Sequence, residues 1–139
     1  MGGYGKGELT LAFFTYDWQI IELPNPNDNK LLIEYMERAL NFPDYDVRLG
    51  AAHWLIKKNK RKYTESVFKV ASEIILNRDA LVKKLGEYGP SAVLQEAIWV
   101  LELIGDKASK DMIKKLVNDE DKFVANAARE ALKELGEER

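Results

Sequence analysis

One pattern of apolar and small positions recurs three times along the chain. In each copy a valine is followed four positions later by alanine, and seven and eight positions later by an apolar pair. The last copy contains Val124, Ala128, Ala131 and Leu132, followed by Leu135 and Gly136. The middle copy contains Val93, Ala97, Val100 and Leu101, followed by Ile104 and Gly105. A looser first copy contains Val47, Ala51, Trp54 and Leu55. These spacings place the four residues on one face of an α-helix. Helices that repeat at this distance cannot bury their apolar faces alone, so the pattern predicts helical pairs stacked into a solenoid.

Around the copies, the sequence predicts further elements. Asp28 is a candidate N-cap for a helix ending near Asn41, with Leu31, Leu32, Tyr35, Met36, Ala39 and Leu40 apolar. Pro43 and Asp44 separate it from a helix over 45–58, and a basic turn over 57–62 leads into helical sequence from Thr64. There Val67, Ala71, Ile74, Leu81 and Leu85 keep one face apolar, with Arg78 the odd member. That stretch reads as one long helix or as two broken between Asn77 and Asp79. Gly89 and Pro90 mark a stop and a new first turn. Helices follow over 90–104, 107–118 and 121–136, with Asp106 and Asp121 as candidate caps.

The distances between copies differ. Val93 to Val124 spans 31 residues, an ordinary two-helix unit, whereas Val47 to Val93 spans 46, room for one extra helix near 79–88. The helix over 28–41 aligns with that over 107–118, so Tyr35 falls on Met112, Met36 on Ile113 and Ala39 on Leu116. Residues 9–23 fit two patterns. Leu9, Leu11 and Phe13 alternate as in a strand, while Leu9, Ala12, Phe13, Tyr16, Ile20 and Leu23 share a helical face. The expected fold is therefore all-α, an α-α superhelix of about three helical pairs over 28–139. Residues 1–27 form a glycine-rich tail and an apolar segment of strand or helix character.

The repeated helix resembles the HEAT repeat, in particular the short HEAT-like repeats first noted in phycobilisome lyases. Their first helix follows the pattern Asp-x-x-Val-Arg-x-x-Ala-x-x-Ala-Leu, closed by Gly. Asp44, Val47, Arg48, Ala51 and Leu55 match it in the first copy. Asp121, Val124, Ala128, Ala131, Leu132 and Gly136 match it in the last. Pro90 stands where Asp is usual in the middle copy, and Leu94 and Ala125 replace the Arg found at Arg48. The resemblance covers about residues 28–138. It implies a HEAT-like superhelix working as a non-enzymatic protein-interaction scaffold, with an accessory role in lyase-like or chaperone-like activity as a more distant analogy.

Composition narrows the chemistry. The 139 residues are enough for one domain that buries roughly two-thirds of its unfolded surface. Net charge is −2, so no global field favours nucleic acid or an anionic membrane. Cysteine is absent, which removes disulfides, thiolate metal sites and cysteine nucleophiles. The opening residues lack an apolar stretch leading to a cleavage site, and no run approaches the ~18 apolar residues that span a bilayer. A cytoplasmic location without membrane contact is expected. The Lys- and Glu-rich charge content leans towards a heat-adapted source.

No catalytic, cofactor or metal site is expected. His53 is the only histidine and stands on the outward side of its helix, where a surface role is the simple reading. HEAT-like iron hydroxylases need several His-Glu pairs, which this chain lacks. Asp119, Glu120 and Asp121 are followed by Phe123 and Val124 and so miss the alternating oxygen ligands of a calcium loop. The glycines near the N-terminus have no preceding strand to make a phosphate loop.

Two surfaces remain as partner candidates. Lys57, Lys58, Lys60, Arg61 and Lys62 gather five cations beside Tyr63. They would complement the dipole at a helix end or, as the alternative function, grip nucleic-acid phosphates. Positions two, six and nine after each valine face outward. They are Asn126, Glu130 and Lys133 in the last copy, Gln95, Trp99 and Glu102 in the middle, and Leu49, His53 and Ile56 in the first. The outer face thus turns apolar towards the N-terminus. Leu49, Ile56 and Trp99 then call for a cover: residues 9–23, the extra helix, a partner protein, or a second copy joined through residues 9–23.

Overall fold

The computed structural model describes residues 26–85 and 89–136. The readings for residues 9–23, for the glycine-rich tail and for dimerisation through 9–23 lie outside them. Among the described residues the chain forms seven helices and no strand: α1 (Pro26–Ala39), α2 (Tyr45–Lys58), α3 (Lys60–Leu76), α4 (Arg78–Leu85), α5 (Gly89–Ile104), α6 (Lys107–Lys114) and α7 (Lys122–Glu134). The fold is all-α. Helix α1 starts at Pro26, a residue preorganised for the first helical turn, so Asp28 lies inside that turn instead of capping it.

The three sequence copies become α2, α5 and α7, and they stack α2 on α5 on α7. Two of them start alike. The Asp44 carboxylate accepts from the backbone N–H of Asp46 at 2.9 Å and of Val47 at 3.4 Å. Asp121 does the same for Phe123 at 2.9 Å and Val124 at 3.3 Å. The middle copy has no such acid and opens with Gly89 and Pro90 inside the helix. The ends diverge instead. Gly105 and Gly136 take φ of 68° and 83°, the left-handed conformation that closes a helix and that residues with a Cβ resist. The equivalent position after α2 is Asn59, which is extended with φ −156°. Its N–H donates to Leu55 O at 2.9 Å, ending α2, while its side-chain oxygen accepts from Lys62 N at 3.2 Å, starting α3. One residue therefore makes the whole corner.

Ala97 and Ala128 are fully buried, as are Val124 and Leu101, and Val93 is nearly so. Val47 departs from the expected inward spine: it is half-buried and packs against the rim of the core. Helix α5 is the centre of the stack, packing against α2, α3, α4, α6 and α7. That explains why apolar residues occupy most of its circumference.

The helical stretch after the corner is two helices, broken at Asn77. Its side-chain amide donates to Glu73 O at 2.8 Å, taking the carbonyl that its own N–H also reaches at 3.0 Å. The break lets α4 turn and aims Arg78 at Asp119, in the connection between α6 and α7. The two side chains meet through a pair of parallel hydrogen bonds, one of 2.8 Å from Nη2 to Oδ2 and a second from Nη1 to Oδ1. Asp119 also accepts from Asp121 N at 2.9 Å. Its side chain is 8% exposed, and the Arg78 hydrogen bonds hold its carboxyl below the usual range. The odd polar member of an apolar face is thus a clamp between α4 and the connection that follows α6.

Candidate interaction surface

The basic stretch expected as a turn is instead the junction of two helices. Lys57 and Lys58 belong to the last turn of α2, and Lys60, Arg61 and Lys62 to the first turn of α3. Electrostatically these halves differ. Cations at the C-terminus of α2 are favoured by its dipole, whereas three cations and no acid at the N-terminus of α3 oppose its dipole. Dipole complementarity therefore accounts for only the first pair.

The five cations also point differently. Lys58 Nζ lies 5.9 Å from the centroid of the Trp54 ring, and Lys62 Nζ lies 5.3 Å from that of Tyr63. Lys62 also approaches Glu37 Oε2 at 3.7 Å. Lys57, Lys60 and Arg61 are exposed to solvent. Tyr63 is not a surface aromatic: it is buried, and its hydroxyl donates to Glu37 Oε2 at 2.5 Å. Burial, then the bond and charge of Glu37, push its pKa up to about 12.

The apolar outer face is corrected by the structure. Leu49 is 0% and Ile56 3% exposed, and His53 is half-buried. Helix α2 packs against α1, α3 and α5 and is buried over most of its circumference, including Gly50, Ala51 and Ala52, so the one-face pattern does not apply to it. Burial, with Lys57 adding to it, lowers the His53 pKa to about 4, so the ring is neutral at ordinary pH. Trp99 does stay out, 47% exposed, and Asn126, Glu130 and Lys133 are exposed as expected. Phe123 at the start of α7 is 69% exposed, an apolar surface residue the outward-position pattern missed. Between α2 and α5, Glu96 is half-buried; desolvation first and the charge of Asp46 second raise its pKa to about 7.

A feature absent from the sequence reading is a groove of about 500 Å³, built by α3 as its floor with the end of α1 and Arg48 of α2 as walls. Beyond Arg48 and Glu73, which line both, lies a smaller hollow of about 180 Å³ reaching α4. The Arg48 guanidinium sits 5.0 Å from the Tyr45 ring centroid, and Lys84 Nζ flanks the same ring at 5.1 Å while donating to Pro43 O at 3.0 Å. Arg48 Nε is buried and has no hydrogen-bond partner among the described residues. The signal in the sequence was that Arg48 is the one copy to carry Arg after its Val, but its neighbours come from three separate helices.

Among the described residues no group of three His, Cys, Asp or Glu side chains could hold a metal ion, and no helix is long and apolar enough to cross a membrane. Residues 78–139 match the family model for HEAT repeats. That segment holds α4 to α7, including the two copies with glycine ends, and the all-α fold is HEAT-like. No curated protein and no solved structure matches the chain.

Proposed function

We propose that the chain is a non-enzymatic HEAT-like scaffold that mediates protein–protein interaction, using the α2–α3 corner as its contact surface. HEAT repeats commonly serve as interaction scaffolds, and the observation that carries the assignment of the surface is the placement of Lys60, Arg61 and Lys62 against the dipole of α3. Lys62 is met within the chain by Glu37, whereas Lys60 and Arg61 are exposed, and an anionic partner group would offset the dipole cost that these two carry. The expected partner is a protein with an acidic face. Affinity capture from nuclease-treated extract of the source organism tests this. A protein recovered in stoichiometric amount, and lost with the paired substitutions Lys60→Glu and Arg61→Glu, is the expected result. A partner that survives both substitutions would remove the corner from the function.

The same dipole-opposed cations favour nucleic acid as the second reading. Two of the five cations, Lys58 and Lys62, are turned onto aromatic rings, which weakens it. Oligonucleotide binding that falls steeply with salt would promote it over the first.

A further inference from the structure

We propose that the outer side of α5 and α7 binds a basic segment of a second partner protein, with an arginine laid on the exposed Trp99 ring. Helix α5 packs against five helices, yet its outer side stays open: Ala92 is exposed, and Trp99, two turns along the same side, is 47% exposed. On α7, which stacks against α5, the matching positions are Phe123 and Glu130, both exposed, Phe123 at 69%. Apolar surface left open on two adjoining helices marks a contact surface.

Charge decides the occupant. Glu96 and Glu102 stand three residues to either side of Trp99, hence on its side of α5, and α5 has no Lys, Arg or His. Each is faced by a second acid from a neighbouring helix, Asp46 of α2 and Glu134 of α7, and burial followed by these charges raises both carboxyls above their usual range. With Glu130 that makes five acids, and none of the ion pairs among the described residues includes any of them. The cations of α7, Lys122, Arg129 and Lys133, share a different stripe of that helix, and Lys57 lies near the far end of α2, about three turns from Asp46. Such a surface repels the phosphates of nucleic acid. Among the described residues no three acids could hold a metal ion. Spread over three stacked helices about 9 Å apart, these five suit charges spread along a chain, and five or six extended residues cross the roughly 18 Å from α2 to α7. Arginine is the cation that fits Trp99, because its planar guanidinium stacks on an indole while its N–H groups stay free for the flanking carboxylates. This side and the α2–α3 corner take partners of opposite charge, which lets one chain bridge two proteins.

The test uses the full chain, labelled with nitrogen-15, and two synthetic heptapeptides: Ala-Arg-Ala-Arg-Ala-Arg-Ala and its Gln counterpart. The Arg peptide is expected to shift the Trp99 Nε1–H resonance and the amides of residues 92–103 and 123–134, and the Gln peptide to shift neither. Trp99→Ala removes the ring and is expected to weaken binding about threefold. Glu130→Lys combined with Glu134→Lys reverses two exposed charges and should weaken it about tenfold; both residues are exposed, so this variant keeps the test valid should Trp99→Ala disturb folding. Equal shifts from both peptides, no shift from either, or shifts confined to other surfaces overturn the proposal. So does concentration-dependent broadening of the free chain at this face that disappears with Lys60→Glu and Arg61→Glu, because the face would then belong to a second copy. The captured partner's dependence on Lys60 and Arg61 is read separately, so the corner and this face can fail independently.

Discussion

Replacing Glu96 by Gln should stabilise the protein, and by an amount that depends on pH. The Glu96 carboxyl is half-buried and faces the Asp46 charge, and its pKa rises from 4.5 to about 7. Between those values the unfolded chain has released the proton and the folded chain still holds it. Stability therefore falls as pH rises through that window, and the full penalty is present above pH 7. A rise of this size corresponds to about 3 kcal/mol for a fully desolvated group; solvent screening of a half-buried one reduces it to about 1.5 kcal/mol. His53 acts in the opposite sense. Its pKa falls from 6.5 to about 4, so its contribution is complete above 6.5 and is lost as pH falls towards 4. The two slopes oppose each other between pH 4.5 and 6.5, while Glu102, raised above its usual value by burial and the Glu134 charge, adds to the fall. Urea unfolding followed by circular dichroism at a series of pH values measures it. Glu96→Gln should gain about 1.5 kcal/mol at pH 8 and nothing near pH 4, with stability now rising from pH 4.5 to 6.5. A gain of equal size at both ends would show that packing, not charge, is responsible, and the reasoning would fail.

Three other outcomes follow from the geometry. Ala97→Leu inserts a larger side chain at a fully buried position in the centre of the stack, and should lower stability by ~1–3 kcal/mol in the same assay. Arg78→Met leaves the Asp119 carboxylate buried without its partner and should cost about 2 kcal/mol, most of it recovered by adding Asp119→Asn. Gly105→Ala and Gly136→Ala share the left-handed strain of about 1 kcal/mol. Only the first also brings a Cβ to 3.3 Å from Leu135 Cδ2, so its melting temperature should drop further.

The sequence made the repeat legible because three independent signals coincide in it: the apolar face, an acid three residues before Val47 and Val124, and a glycine twelve residues after Val93 and Val124. Each is local, so a linear reading finds them. The extra helix is legible as surplus length between Val47 and Val93, although the break itself, marked by the Asn77 amide bonded to Glu73 O, is not. What escaped was set by neighbours distant in sequence. Leu49 and Ile56 stand at outward positions by the phase of the repeat, yet α2 is packed on more than one side, so helical phase does not predict exposure there. The basic residues 57–62 read as a turn in the sequence; that Asn59 alone both ends α2 and caps α3 depends on a backbone angle that spacing does not reveal. The groove could not be seen at all, since Glu37, Arg48 and Lys69 meet only once three helices are assembled.

The central position of α5 has a consequence for how such a chain can change. In a long array each unit touches only the next, so units can be gained or lost with little effect on the rest. Here the middle helix touches α2, α3 and α4 on one side and α6 and α7 on the other, so with so few units a single helix carries the contacts of the whole stack, and a unit spliced in on either side of it would separate it from one group. The molecule is less a segment of an extendable spring than a keystone arch, whose span is settled by the stone in the middle.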